Sequence, residues 1–261
     1  MDERQDVVGR SEETAEPSTA DVLAEVERRR AETRRETSEG QRNVIVAIDR
    51  AIYWLAKHWV VIFNGLAFLY IGLPFLAPVL MHLGAETFGL GIYRLYAPLC
   101  HQLPQRSFFL YGPQSSYTLA ELFERVSVDE LVGQWSGAFV GNGDVGYKIA
   151  LCQRDVAIYG TILLAGLLYG LLRGRMRIRP LPLWAYLMGL VPMGIDGGYQ
   201  WITNAADVLF DISIPTYESN PARRVITGAL FGLATVWLAY PYVQEAFDEI
   251  IGTLKTKFGW D

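Results

Sequence analysis

The chain has 261 residues, a formal net charge of -5, 51% hydrophobic residues and 20% charged ones. Ten Lys+Arg and thirteen Asp+Glu fall in the first 58 residues, so the remainder is strongly apolar. Several windows reach the roughly 20 apolar residues that a bilayer crossing needs, which excludes a cytosolic enzyme, a secreted disulfide scaffold and a nucleic-acid binder with a basic face.

Residues 1–17 are acidic and lack aromatics, and such a segment cannot bury enough surface to offset its ordering entropy; a disordered tail is expected. Met1 to Gly40 is polar throughout, so no signal peptide is expected there. Ser18 with Asp21 three residues on is a capping signal. It opens a charged helix to about Thr37, with Val22, Leu23 and Val26 on one face and Glu25/Arg29 and Arg28/Glu32 at i,i+4 spacing. A second helix from about Val44 carries Val46, Ile48, Ile52 and Leu55 among Asp49, Arg50 and Lys57, as an interfacial helix would before turning into the bilayer. Residues 18–58 form the charged segment preceding the membrane.

Four spans are predicted: Trp59 to Met81, Val156 to Leu172, Leu181 to Ile202 and Ile226 to Val243. The transmembrane domain is 59–243, with an outer loop at 84–151 and a tail at 244–261. Four arginines without an acid, Arg173 to Arg179, connect the second and third spans, and short positive loops stay in the cytoplasm. A multi-pass protein of the cell membrane with both termini cytoplasmic follows. Glycines four apart, Gly166, Gly170 and Gly174 in one span and Gly228 and Gly232 in another, permit close helix approach, chiefly within one bundle and alternatively along a homodimer seam.

The apolar run Phe88 to Leu110 is interrupted by Arg94, His101, Pro104 and Arg106, and reads as a re-entrant or interfacial helix pair. Thr118 with Glu121 and Ser127 with Glu130 are capping boxes for two short helices, a small outer lid. Gly141-Asn-Gly-Asp-Val-Gly146 spells the dinucleotide fingerprint but runs into a transmembrane helix instead of lying inside a βαβ unit, so it is read as a turn, with no nucleotide. The fold class is an all-α membrane protein of about four transmembrane helices with that outer segment and lid.

On this topology the unusual polar residues share one side. Cys100, His101, Gln102 and Arg106 lie in the outer loop, and Cys152, Arg154 and Asp155 open the second span. Asp196 and Gln200 share a face of the third, and Arg223 and Arg224 precede the fourth. Asp196 must point into the bundle because a lipid-facing carboxylate costs several kcal/mol; Arg154 or Arg224 is its expected counter-ion.

Cys100-His-Gln-Leu-Pro-Gln-Arg-Ser-Phe108, Cys152-Gln-Arg154 with Ile158-Tyr-Gly160, Asp196 with Gln200, and Arg224-Val-Ile-Thr-Gly228 resemble the bacterial and archaeal membrane proteins of domain of unknown function 2085. The resemblance runs from about Tyr93 to Gly232 and brings no activity with it. Many members of that family carry a second cysteine where this chain has Asp155.

Three chemistries stay open for the pair. Cys100, His101, Cys152 and Asp155 form a candidate metal quartet suited to Zn or another transition metal. The cysteines could instead be a disulfide staple at an oxidising face, or a redox couple whose thiolate is favoured by His101, Arg106 and Arg154. His82 and His101 are a weaker pair of haem ligands. The alternative to metal or redox function is a non-catalytic accessory subunit of a larger membrane complex. Partners are the lipid bilayer and either a second copy or such a complex, with no nucleic acid.

Overall fold

The computed structural model describes residues 18–36, 39–132, 139–210 and 217–260; the tail expected at 1–17 lies outside them. Residues 1–54 and 55–261 form separate compact units. In the first, α1 (Thr19–Glu36) begins as expected: Ser18 Oγ donates to Asp21 Oδ2 at 2.6 Å and accepts from the Asp21 N–H at 3.3 Å. Glu25 pairs with Arg28 and Arg29 at 2.8 Å, exposed pairs that contribute little.

α2 is one helix, Glu39–His82, so the interfacial segment and the first expected span are continuous. The expected turn between them is absent because no helix breaker separates Val44 from Leu73; Pro74 and Pro78 come later and are tolerated inside the helix. α3 (Glu86–Tyr96) follows, and then a 3₁₀ turn at Pro104–Arg106. The second helix expected before Leu110 does not form. Instead Ser107–Leu110 is β1, whose alternating burial is that of a strand.

α4 (Leu119–Arg125) opens with a complete Thr118/Glu121 capping box, and α5 (Val128–Val132) follows Ser127, whose Oγ accepts from the Glu130 N–H at 3.4 Å. A hairpin of β2 (Gly141–Asn142) and β3 (Gly146–Cys152) completes a three-stranded antiparallel sheet in the order β1-β3-β2. The glycine-rich run is the hairpin loop. Gly141 and Gly146 have φ of +114° and +80°, and Asn142 Oδ1 accepts from the N–H groups of Asp144 and Val145. Phe109, Tyr117, Leu122, Val126, Phe139 and Val145 form the small core under this outer part.

α6 (Gln153–Leu172), α7 (Leu183–Phe210) and α8 (Pro221–Phe258) contain the other three expected spans, and α8 runs on through the expected tail. Among the described residues, three helices are long and apolar enough to cross a membrane: Gly40–His82, Gln153–Leu172 and Pro221–Phe258. α7 is not among them, since Asp196 and Gln200 interrupt its apolar run. The fold is a mostly helical membrane protein with a small sheet beside its outer segment.

α6 and α8 pack closely through glycines of α8. A Cβ built on Gly228 would come within 2.7 Å of the Arg154 carbonyl oxygen, and one on Gly232 within 2.5 Å of that of Ile158. This is the close approach expected of the small-residue spacing, realised inside one chain. Near the middle of α8, Trp59, Val60, Tyr169, Val236 and Tyr240 form a core rich in aromatics, and the Trp59 indole donates to Gln244 Oε1 at 3.1 Å. Gly232→Leu should therefore lower stability by about 1–3 kcal/mol or more, because backbone and not a flexible side chain opposes the new atoms. A thermal midpoint in detergent equal to the parent's would contradict this packing.

Candidate functional site

The site lies where the outer segment meets the first turns of α6 and α8. Cys100 follows α3, and its thiol is buried because β3 passes over it: the backbone N–H of Cys152 donates to Cys100 Sγ at 3.3 Å. Cys152 is the last residue of β3 and the N-cap of α6. One turn on, Asp155 Oδ2 accepts from Cys152 Sγ at 3.1 Å. Ligand-type atoms of Cys100, Cys152 and Asp155 all lie within 4.8 Å of one another, and both cysteines are free thiols.

His101 is outside this group. It is exposed, between buried Cys100 and buried Gln102. The quartet expected from the sequence is thus a trio. His82, the other histidine considered for haem, stacks flat on Tyr111 at 4.0 Å between ring centres.

The two thiols differ in acidity. Cys100 is held below an ordinary thiol, chiefly by its side-chain interaction with the Cys152 thiol, against the opposing effects of burial and the Asp155 charge. Cys152 is pushed up by that same thiol–thiol interaction, by burial and by Asp155. The pair therefore gives up its first proton at Cys100.

Sequence reasoning missed the group that holds Cys100 in place. Lys148, in the middle of β3, has no exposed surface, and its Nζ donates to the Gln102 carbonyl. The Gln102 amide donates to the Tyr93 carbonyl at 2.8 Å, and the Tyr93 hydroxyl donates to the Lys148 carbonyl. These three bonds close a ring across α3, the Cys100 turn and β3, and fix Gln102 at a φ of 49°. Burial pushes the Lys148 ammonium down to about 7, with a smaller opposing pull from Cys100. A lone lysine inside Gly146-Tyr-Lys-Ile-Ala-Leu-Cys152 was the available signal.

The remaining polar residues form a second, adjoining network. Arg154 Nη2 lies 2.5 Å from Asp196 Oδ2, which realises one of the two expected ion pairs, and Ser219 Oγ and Tyr217 Oη both donate to Asp196 at 2.8 Å. Arg224 turns instead to Glu218, to Gln153 Oε1 at 3.0 Å and to the Gln105 carbonyl at 3.2 Å. Arg106 grips the same Glu218 with two bonds of 2.7 and 2.8 Å. Residues 217–219 had drawn no attention because nothing local marks them; their roles exist only against α7 and α8.

Comparison with known proteins bears on the same region. Residues 145–238, from β3 to the middle of α8, match the family described as a predicted membrane protein, DUF2085. The resemblance holds. The matched stretch contains Cys152, Arg154, Asp155, Asp196, Gln200 and Arg224, whereas Cys100, His101, Gln102 and Arg106 precede it. An uncharacterized protein of Methanocaldococcus jannaschii is 24% identical over 202 residues, covering 76% of this chain and 97% of that protein. No solved structure matches. The DUF2085 likeness makes this a membrane protein and assigns it no reaction.

The depressed Lys148 value gives a pH signature. Between about 7 and the unfolded value near 10.5 the unfolded chain holds a proton that the folded one lacks, so stability rises with pH across that window; below about 7 the full burial penalty applies. In Lys148→Met this rise should vanish, as followed by thermal denaturation in detergent from pH 6 to 10. Parallel pH profiles for parent and variant would show that Lys148 keeps an ordinary value.

Proposed function

We propose that Cys100, Cys152 and Asp155 hold a thiophilic divalent metal, Zn or another transition ion, in a DUF2085-like membrane protein. The observation that carries this is the convergence of two sulfurs and a carboxylate oxygen within 4.8 Å. Metal–sulfur and metal–oxygen bonds of roughly 2.0–2.3 Å in a tetrahedral site put ligand atoms roughly 3.3–3.8 Å apart, inside that limit. Three protein ligands leave one position for water or an exchangeable ligand, the pattern of catalytic more than structural sites. The raised acidity of Cys100 favours the thiolate that a metal requires.

Protein purified without chelator should carry close to one equivalent of metal by elemental analysis. Cys100→Ser, Cys152→Ser and Asp155→Asn should each lose most of it, because ligands act together on one ion, whereas His101→Ala should keep it. Equal metal content in Cys100→Ser and the parent would end this reading.

One observation favours a second reading. A buried thiol pair of unequal acidity suits reversible oxidation, in which Cys100 and Cys152 give up two protons and two electrons to a quinone or disulfide acceptor and form one S–S bond. Mass spectrometry without reductant separates the two. The redox form lacks two hydrogen atoms and carries no metal.

For the orientation we propose that α7 is a fourth crossing and that the Arg173–Arg179 loop is cytoplasmic, which puts the thiol site at the outer face of a cell membrane and both termini inside. Reporter fusions after Arg179 should read cytoplasmic and fusions after Asn220 external. The reverse pattern would place the cysteines in a reducing compartment and remove the redox reading.

A further inference from the structure

The network beside the thiols has more cationic donors than acceptors. Four arginines meet the tripeptide 217–219 or the aspartate it holds. Arg106 and Arg224 bind Glu218, Arg223 Nη1 donates to Tyr217 Oη at 2.9 Å, and Arg154 pairs with Asp196. Among the described residues, two carboxylates, Asp196 and Glu218, answer these four charges within the network.

Three buried donors in it have no acceptor: Arg154 Nε, Arg224 Nε and Gln200 Nε2. Gln200 is 4% exposed and Arg224 2% exposed, so bulk water does not serve them. Asp196, Gln200 and Thr203 lie on one face of α7, at i, i+4 and i+7. The first and last of these both grip the 217–219 segment, Asp196 through Tyr217 and Ser219, and Thr203 Oγ1 by accepting from the Tyr217 N–H at 3.1 Å. Gln200 lies between those two grips, yet its amide nitrogen has no hydrogen-bond partner. A buried donor without an acceptor is costly, and here three accompany, among the described residues, more arginines than carboxylates.

We propose that this network is a binding site for a doubly charged tetrahedral oxyanion of the phosphate type, held by Arg154, Gln200 and Arg224. The missing acceptors and the missing negative charge are supplied by one group, and arginine is the side chain best suited to phosphate oxygens. The phosphate arrives either as a free ion or as the headgroup of an anionic lipid, since the site lies at one end of α6, α7 and α8. This assignment is independent of any metal at Cys100 and Cys152.

The full chain, treated with chelator, is placed in nanodiscs of zwitterionic lipid and titrated with inorganic phosphate against chloride at equal ionic strength, following the thermal midpoint. A saturable rise is expected, weakened about tenfold or more in Gln200→Leu. That variant removes the orphan donor without leaving a new one, so in the absence of ligand it should be as stable as the parent. In a second arm phosphatidic acid replaces part of the disc lipid; a rise there alone, again weakened in Gln200→Leu, assigns the site to a lipid headgroup. If Gln200→Leu does not fold, Arg154→Lys, which keeps the charge and loses Nε, is read the same way. No rise in either arm, or an equal rise in parent and variant, overturns the proposal and leaves ordered water as the partner of these donors.

Discussion

Lys148 is the constraint on which the thiol site and the sheet beside it depend. A lysine with no exposed surface has to give its hydrogen bonds to fixed acceptors, and the acceptor here is the Gln102 carbonyl. That requirement pulls the turn after Cys100 onto β3. Gln102 and Tyr93 then close the ring with two further side-chain-to-backbone bonds. Each bond satisfies a group that burial would otherwise leave costly, so the three are mutually supporting. Cys100 is placed opposite Cys152 as a by-product: the sulfur is two residues from Gln102, and the strand that carries Lys148 ends at Cys152.

Where the sequence was legible, a single local pattern decided the outcome. Long apolar runs gave the helices, and the capping signals at Ser18 and Thr118 marked real helix starts. The i,i+4 pair Asp196 and Gln200 lies on the face that meets Arg154, because a carboxylate among apolar residues has few alternatives. Other features needed information from elsewhere in the chain. The strands are short, and β1 is defined by pairing with residues about 40 positions later. His101 was attractive as a ligand only by adjacency to Cys100, and adjacency does not fix burial: Cys100 is buried and His101 exposed. Glu218 is an ordinary loop acid until Arg106 and Arg224 both close on it.

The two polar networks meet at the start of α6. Cys152 belongs to the thiol group, Gln153 accepts from Arg224, Arg154 pairs with Asp196, and Asp155 returns to Cys152. The outer two of these four consecutive residues thus serve the thiol group and the inner two the arginine network, as positions three apart on a helix share a face and successive ones diverge by about 100°.

α8 has a mechanical consequence. Arg224, anchored to Glu218 and Gln153, and Tyr240, packed on Trp59, are on the same uninterrupted helix, about 24 Å apart at 1.5 Å per residue. Between them Gly228 and Gly232 rest directly on the α6 backbone, where there is little side chain to act as a cushion. The two anchors are thus joined along one helix whose tightest approach to its neighbour falls between them, so the spacing of α6 and α8 is set by backbone at that point.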